Sequence, residues 1–150
     1  MNGEPGSLAS RGRRLGGAVI DIAIVLAIVL PISFFTGGSR ELLAAQEIPA
    51  AKKILYACLV VVVWVVLNAR LLASRGQTIG KTVVGTRIVD LQGGLLPFGK
   101  LLALRYLVPW IIGAIPSLGN LFNLADVLFI FARDRRCLHD HLAGTRVVNV

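Results

Sequence analysis

The sequence predicts an all-α membrane protein of about four transmembrane or half-membrane helices, at 15–36, 54–73, 101–115 and 118–132. A small cytoplasmic β cap, pairing 82–90 with 144–150, completes the fold class. Three observations predict it. Hydrophobic residues make up 55% of the chain and mean hydropathy is +0.75, above the roughly 45–50% apolar usage of soluble domains. Two apolar runs are long enough to cross a hydrocarbon core of about 30 Å at about 1.5 Å per residue. The basic residues lie between the apolar runs, as positive-inside topology requires.

The 150 residues suit one compact unit. Residues 1–13, rich in Gly, Ser and Arg, read as a disordered cytoplasmic N-terminus, and 14–150 as a single membrane domain. Leu15 to Thr36 carries one charge, Asp21, and is followed by Gly37-Gly38-Ser39. That acid and the lack of a small-x-small site before Pro31 argue for a retained helix rather than a cleaved signal peptide. Ile54 to Ala73 is the second span, with Asn68 and Arg70 near its end. Between 74 and 100 the composition shifts to glycine, β-branched residues and scattered charge. Thr82-Val83-Val84 and Thr86–Asp90 read as strands, and Gln92-Gly93-Gly94 as a turn. The apolar stretch Leu101–Ala132 is too long for one simple span. Pro109, Gly113, Pro116 and Gly119 divide it into two short helices that cross or form a partial hairpin.

Sixteen Lys and Arg face eight Asp and Glu. Three lie in 11–14, six in 70–105 and four in 133–146, against three in 40–53. An even number of crossings with both termini cytoplasmic keeps most of them inside. Basic charge placed this way, without interleaved aromatics, does not indicate nucleic-acid binding. Gly85–Leu91 and Gly144–Val150 share four of seven identical positions, so the two segments are expected to pair as strands and cover each other's edges.

Asp21 lies seven residues past Arg14, two turns and about 10 Å deeper on the same face. A carboxylate there costs about 2.5–3.5 kcal/mol on insertion scales. It is either a proton or cation site, or a polar contact that fixes helix packing. Asp126, seven residues before Arg133, mirrors that depth, and Arg105 enters the same layer. The expected polar cluster is therefore Asp21, Arg105 and Asp126, with Arg14 above it and Asn123 on the face of Asp126. Asp140, His139, Arg87 and Lys81 belong to the cytoplasmic cap. Cys137-x-His139-x-His141 has no second ligand cluster in sequence, so no metal is expected. Gly76–Thr82 ends in Gly-Lys-Thr but lacks the first glycine of a phosphate loop. No nucleophile set can be assembled, so neither an enzyme nor a cofactor is expected.

These residues carry a resemblance. Arg14-Leu15-x-x-x-x-Ile20-Asp21 resembles the opening motif of the RDD family of small membrane proteins, named for one arginine and two aspartates. Ser74-x-Gly76-Gln77-Thr78-Ile79-Gly80-Lys81-x-x-x-Gly85-x-Arg87-Ile88-Val89-Asp90 is similar to its middle motif. Leu104-Arg105 and Asp126 fit its later helices, and Leu138-His139-Asp140-x-x-Ala143-Gly144-Thr145-x-Val147-Val148 its last motif. The likeness covers about 14–148; Gly17 departs from the alanine common there. It implies that Arg14, Asp21 and Asp140 hold the signature positions. It also implies a multi-pass protein of the bacterial inner membrane, with transport and cation/proton antiport suggested for some members. The expected function is transport or exchange of protons or monovalent cations through the Asp/Arg cluster. The alternative is a non-transporting accessory or assembly subunit of a larger membrane complex. Expected partners are membrane lipid and either further copies of this chain or a membrane complex, since one short chain encloses little volume.

Overall fold

The structure, a computed structural model, describes residues 6–38, 41, 44 and 47–150. Two long helices dominate it. α1 (Arg11–Phe35) starts at Ser10, whose hydroxyl accepts the Arg13 amide at 3.3 Å, satisfying one of the donors a helix start leaves open. α2 spans Ala50–Arg75 and ends at Gly76, in the left-handed region at φ 63°. A side chain at Gly76 would collide with the Ile88 carbonyl, so glycine serves both the turn and the close approach. Both helices are long and apolar enough to cross a membrane. α1 buries one stripe, Arg14, Gly17, Asp21, Val25 and Val29, and exposes Val19, Ile22, Leu26 and Leu30 on its other faces. Exposed apolar residues in that number suit a lipid surround rather than water.

A short helix follows, α3 (Ile79–Val83), and then β1 (Thr86–Asp90). The expected strand at Thr82-Val83-Val84 is thus corrected: Thr82 and Val83 close a helical turn. β-branched residues favour strands only weakly, and here side chains distant in sequence hold the helix start, as described below. The turn at 92–94 forms as expected, with Asp90 Oδ1 accepting the amides of Gln92 (2.9 Å) and Gly94 (2.7 Å).

α4 runs continuously through three pieces, α-helical Phe98–Leu102, π-helical Ala103–Leu107 and α-helical Val108–Gly113. Pro109 has no amide to give the Arg105 carbonyl and its ring crowds that oxygen. The wider π turn, in which Val108 N donates to Ala103 O, relieves the crowding. A break at 114–117 leads to α5 (Leu118–Leu128), extended by a 3₁₀ turn, Phe129–Phe131. At Gly119 a Cβ would collide with the Gly113 carbonyl, so α4 and α5 turn back on each other at a glycine contact.

α6 (Leu138–Ala143) and β2 (Thr145–Asn149) close the chain. β1 and β2 pair antiparallel, Thr86 with Asn149 and Ile88 with Val147; the two seven-residue repeats are the two strands. Residues 1–5 lie outside the described residues. Residues 6–10, expected to be disordered, instead run along β2: Leu8 bridges Val148, and the amides of Gly6 and Ala9 each donate at 3.0 Å to the carbonyls of Asn149 and Val147. Ala9 is completely buried. This segment covers the free edge of β2, which would otherwise present open donors and acceptors.

Candidate functional site

The polar side chains of the apolar helices form three groups around one cavity. The first holds α3. Asp21 accepts the Thr78 hydroxyl at 2.5 Å on Oδ2 and the Gly80 amide at 2.7 Å on Oδ1. Asn68 Oδ1 accepts the Ile79 amide at 2.9 Å, and Thr78 Oγ1 accepts the Lys81 amide at 3.2 Å. The first three amides of α3 are thereby satisfied by three side chains from α1, α2 and the N-cap. A buried helix end needs such partners, and a carboxylate also suits the positive end of the helix. The approach is close because both backbones carry glycine: a Cβ on Gly80 would collide with the Gly17 carbonyl, and one on Gly17 would sit 3.3 Å from Val84.

The second group centres on Asp140, which is completely buried. Arg14 pairs with its Oδ2 and Arg105 with its Oδ1. The Thr145 hydroxyl donates to Oδ1 at 3.0 Å and the Cys137 amide to Oδ2 at 3.1 Å. Arg14 also donates to the Arg135 carbonyl, and Arg11 to the Ile130 and Phe131 carbonyls at 3.2 and 3.3 Å. The first turn of α1 thus caps the C-terminal end of α5, where carbonyls lack partners. Arg136 ties α6 to β2 through the Asp140 and Thr145 carbonyls. One carboxylate therefore joins α1, α4, α6 and β2.

The third group is Asp126 with His139. Asp126 Oδ1 accepts the His139 amide at 2.9 Å, and Oδ2 meets His139 Nδ1 at 2.7 Å. Burial, and then the charge of Arg105, hold the His139 imidazole down at about pKa 4, so it is neutral near pH 7. Among the described residues no lysine or arginine pairs with Asp126.

A cavity of about 260 Å³ lies between these groups. Trp64, Tyr106 and Trp110 form its aromatic wall, with ring centroids 4.3 to 6.0 Å apart. Its polar lining is Arg14, Asp21, Lys81, Arg105, Asp126, Cys137 and His139.

The expected cluster is corrected in its pairings. Asp21, Arg105 and Asp126 share the cavity, yet no hydrogen bond or ion pair joins them among the described residues. Arg105 pairs with Asp140, because the π turn and the α6 start bring those side chains together. Arg14 also turns to Asp140 and not to Asp21: two turns of separation put residues on one face without contact. Asn123 is exposed and packs against Gly113, off the cavity. Of the cap residues, His139 and Lys81 line the cavity, Asp140 lies at the centre of the second group, and Arg87 is exposed on β1. Thr78, Gly80 and Thr145 stand in the motifs that carry the family resemblance, but the sequence reading gave them no role in the site. A threonine ahead of a helix was a signal for the first; for Gly80 and Thr145 the signal was their place in those motifs. No metal was expected, and the structure brings Asp126 beside Cys137 and His139, with their donor atoms within 4.8 Å of one another.

The family model for the RDD family matches residues 8–144. The chain belongs to the RDD family. It is a membrane protein, and the arginine and two aspartates at the positions that the resemblance assigned to the family name, Arg14, Asp21 and Asp140, are all buried. In this RDD protein Arg14 and Asp140 form one contact, and Asp21 forms another with α3. No curated protein and no solved structure matches the chain.

Proposed function

We propose that this RDD protein is a multi-pass protein of a bacterial cytoplasmic membrane that binds and exchanges protons or monovalent cations at the Asp126 side of its cavity. One observation carries the reading. Asp140 is held by two guanidinium groups and Asp21 anchors the start of α3, whereas Asp126 lines the cavity and, among the described residues, bonds only to the amide and ring of His139, with no ion pair to lysine or arginine. A negative group with no cationic partner, beside an aromatic wall, is the arrangement a small cation needs. In this reading α1 and α2 span fully, α4 and α5 go part way or cross as a short pair, and both ends of the chain are cytoplasmic. The pairing of residues 6–10 with β2 supports the last point, since it sets the two ends side by side. The cavity is small, so in this reading a complete pathway uses further copies of the chain.

The test is cation-driven proton flux in proteoliposomes. Asp126→Asn is expected to abolish flux with the fold intact; flux equal to that of the unsubstituted protein rejects the proposal. A second reading, a non-transporting subunit of a larger membrane complex, draws support from the saturation of Asp21 and Asp140, which fits groups that hold helices together. Under that reading a mild-detergent purification returns a partner membrane protein, and no variant of the cavity changes ion flux.

A further inference from the structure

Three donor types converge on one side of the cavity. The Asp126 carboxylate comes from α5, the Cys137 thiol from the N-cap of α6, and the His139 imidazole from its first turn. Cys137 and His139 are two apart across an extended N-cap residue at φ −71°, ψ 167°, and Asp126 reaches them through its bonds to His139. Nothing in the binding of a proton or a monovalent cation calls for the thiol. We propose that Asp126, Cys137 and His139 form a binding site for a divalent transition metal of the zinc class, with a fourth position open to the cavity.

The geometry and chemistry agree on this class. Zinc bonds of about 2.0–2.3 Å to oxygen, nitrogen and sulfur put tetrahedral ligand atoms about 3.3–3.8 Å apart. The three donors lie within 4.8 Å of one another, so side-chain movements of about an ångström would set them at ligand distances, the 2.7 Å Asp126–His139 contact opening as the metal takes the place of the hydrogen bond. One sulfur, one nitrogen and one oxygen are borderline-soft ligands; they suit zinc, cobalt or iron and not magnesium or calcium, which take oxygen sets. Three protein ligands and one open position is the pattern of a site that exchanges a water or a substrate. Metal entry exchanges one thiol proton, released to solvent, for the metal–sulfur bond. The thiolate and the carboxylate balance the two charges of the metal. Nearby Arg14 and Arg105 are already engaged with Asp140, and Arg14 Nη2, 3.4 Å from the sulfur, favours the thiolate.

This inference shares Asp126 with the proposed function and is separated from it by Cys137. The experiment titrates the purified full chain in detergent with Co²⁺. One equivalent per chain is expected, with a cobalt–thiolate charge-transfer band in the near ultraviolet and the visible bands of a tetrahedral ion; Zn²⁺ displaces it and Mg²⁺ does not. Cys137→Ser, in which serine keeps the N-cap, loses the charge-transfer band. His139→Ala and Asp126→Asn weaken binding by about 10-fold or more, by comparison with losses seen on changing metal-site residues. Cys58→Ser, at the exposed second thiol, retains the band. Absence of a thiolate band in the unsubstituted chain overturns the proposal, and so does a band that survives Cys137→Ser. Monovalent flux separates the two ideas: loss of the cobalt band in Cys137→Ser reads the metal site alone, whereas a chain that binds cobalt but whose flux ignores Asp126→Asn retains the metal site and loses the proposed function.

Discussion

Replacing Asp140 by asparagine removes one negative charge from a carboxylate that is completely buried and holds two buried guanidinium groups. Asparagine keeps one acceptor oxygen and turns an amide donor toward the other set of donors. Four donors, from Arg14, Arg105, Thr145 and Cys137, then compete for that oxygen. Breaking a buried ion pair by removing one partner costs about 3–5 kcal/mol, because the remaining charge stays desolvated. At about 2–4 °C per kcal/mol for a chain of this length, the unfolding midpoint falls by about 6–20 °C. Trp64 and Trp110, in contact with each other at the cavity, report unfolding by intrinsic fluorescence in detergent. The loss also spreads across elements: α6 and β2 loosen from α1 and α4, and residues 138–149 become protease-sensitive first. A double-mutant cycle with Arg14→Met isolates the pair, since the second substitution removes one of the unpaired charges and returns part of the loss. A fall of less than about 2 °C, under about 1 kcal/mol, refutes the view that Asp140 joins these elements.

Three further outcomes follow from the same contacts. Gly80→Ala drives a methyl group into the Gly17 carbonyl and separates α3 from α1, at about 1–3 kcal/mol by analogy with overpacked cores; thermal scanning and protease resistance of 76–90 measure it, and an unshifted midpoint contradicts the close glycine contact. Asp21→Asn leaves one acceptor for the Thr78 hydroxyl and the Gly80 amide, and costs about 1.5–3 kcal/mol for a charged hydrogen bond; abundance in the membrane drops, while flux per folded molecule holds. Deletion of 144–150 removes β2 and exposes the edge of β1, so proteolysis at 82–90 accelerates; unchanged resistance there contradicts the importance of the pairing seen in the structure.

Much of this architecture was legible from local pattern. The apolar runs around Asp21 and Trp64 are the two long helices, and Pro116, between Gly113 and Gly119, marks the break at 114–117, whereas Pro109 lies inside α4, where the π turn accommodates it. The repeated Gly-Thr-Arg segments revealed the two strands because identical alternation suits identical neighbours. Three features escaped for a shared reason, namely that they depend on residues far apart in the chain. Thr82 and Val83 have strand propensity, yet Asp21 and Asn68 hold the helix ahead of them. Residues 6–10 have the composition of a tail, yet β2 offers them an open edge. Arg14 and Asp21 share a face, yet Arg14 meets a carboxylate 126 residues away. Helical spacing placed the acids at one depth, and the side chains and backbone opposite decided that only Asp140 is paired with arginine among the described residues.

Flux through reconstituted protein, compared between two single substitutions and normalised to folded chain, tests the central claim most directly. Asp126→Asn is expected to abolish proton-coupled sodium or potassium flux with a smaller fall in the unfolding midpoint than Asp21→Asn, since the asparagine oxygen keeps the His139 amide and its NH2 can donate to the neutral His139 ring. Asp21→Asn is expected to lower the midpoint and leave flux per folded chain intact. The opposite pattern, with flux lost in Asp21→Asn and kept in Asp126→Asn, would contradict the account, because it would place the exchanging acid at the α3 contact and the lock at the cavity wall.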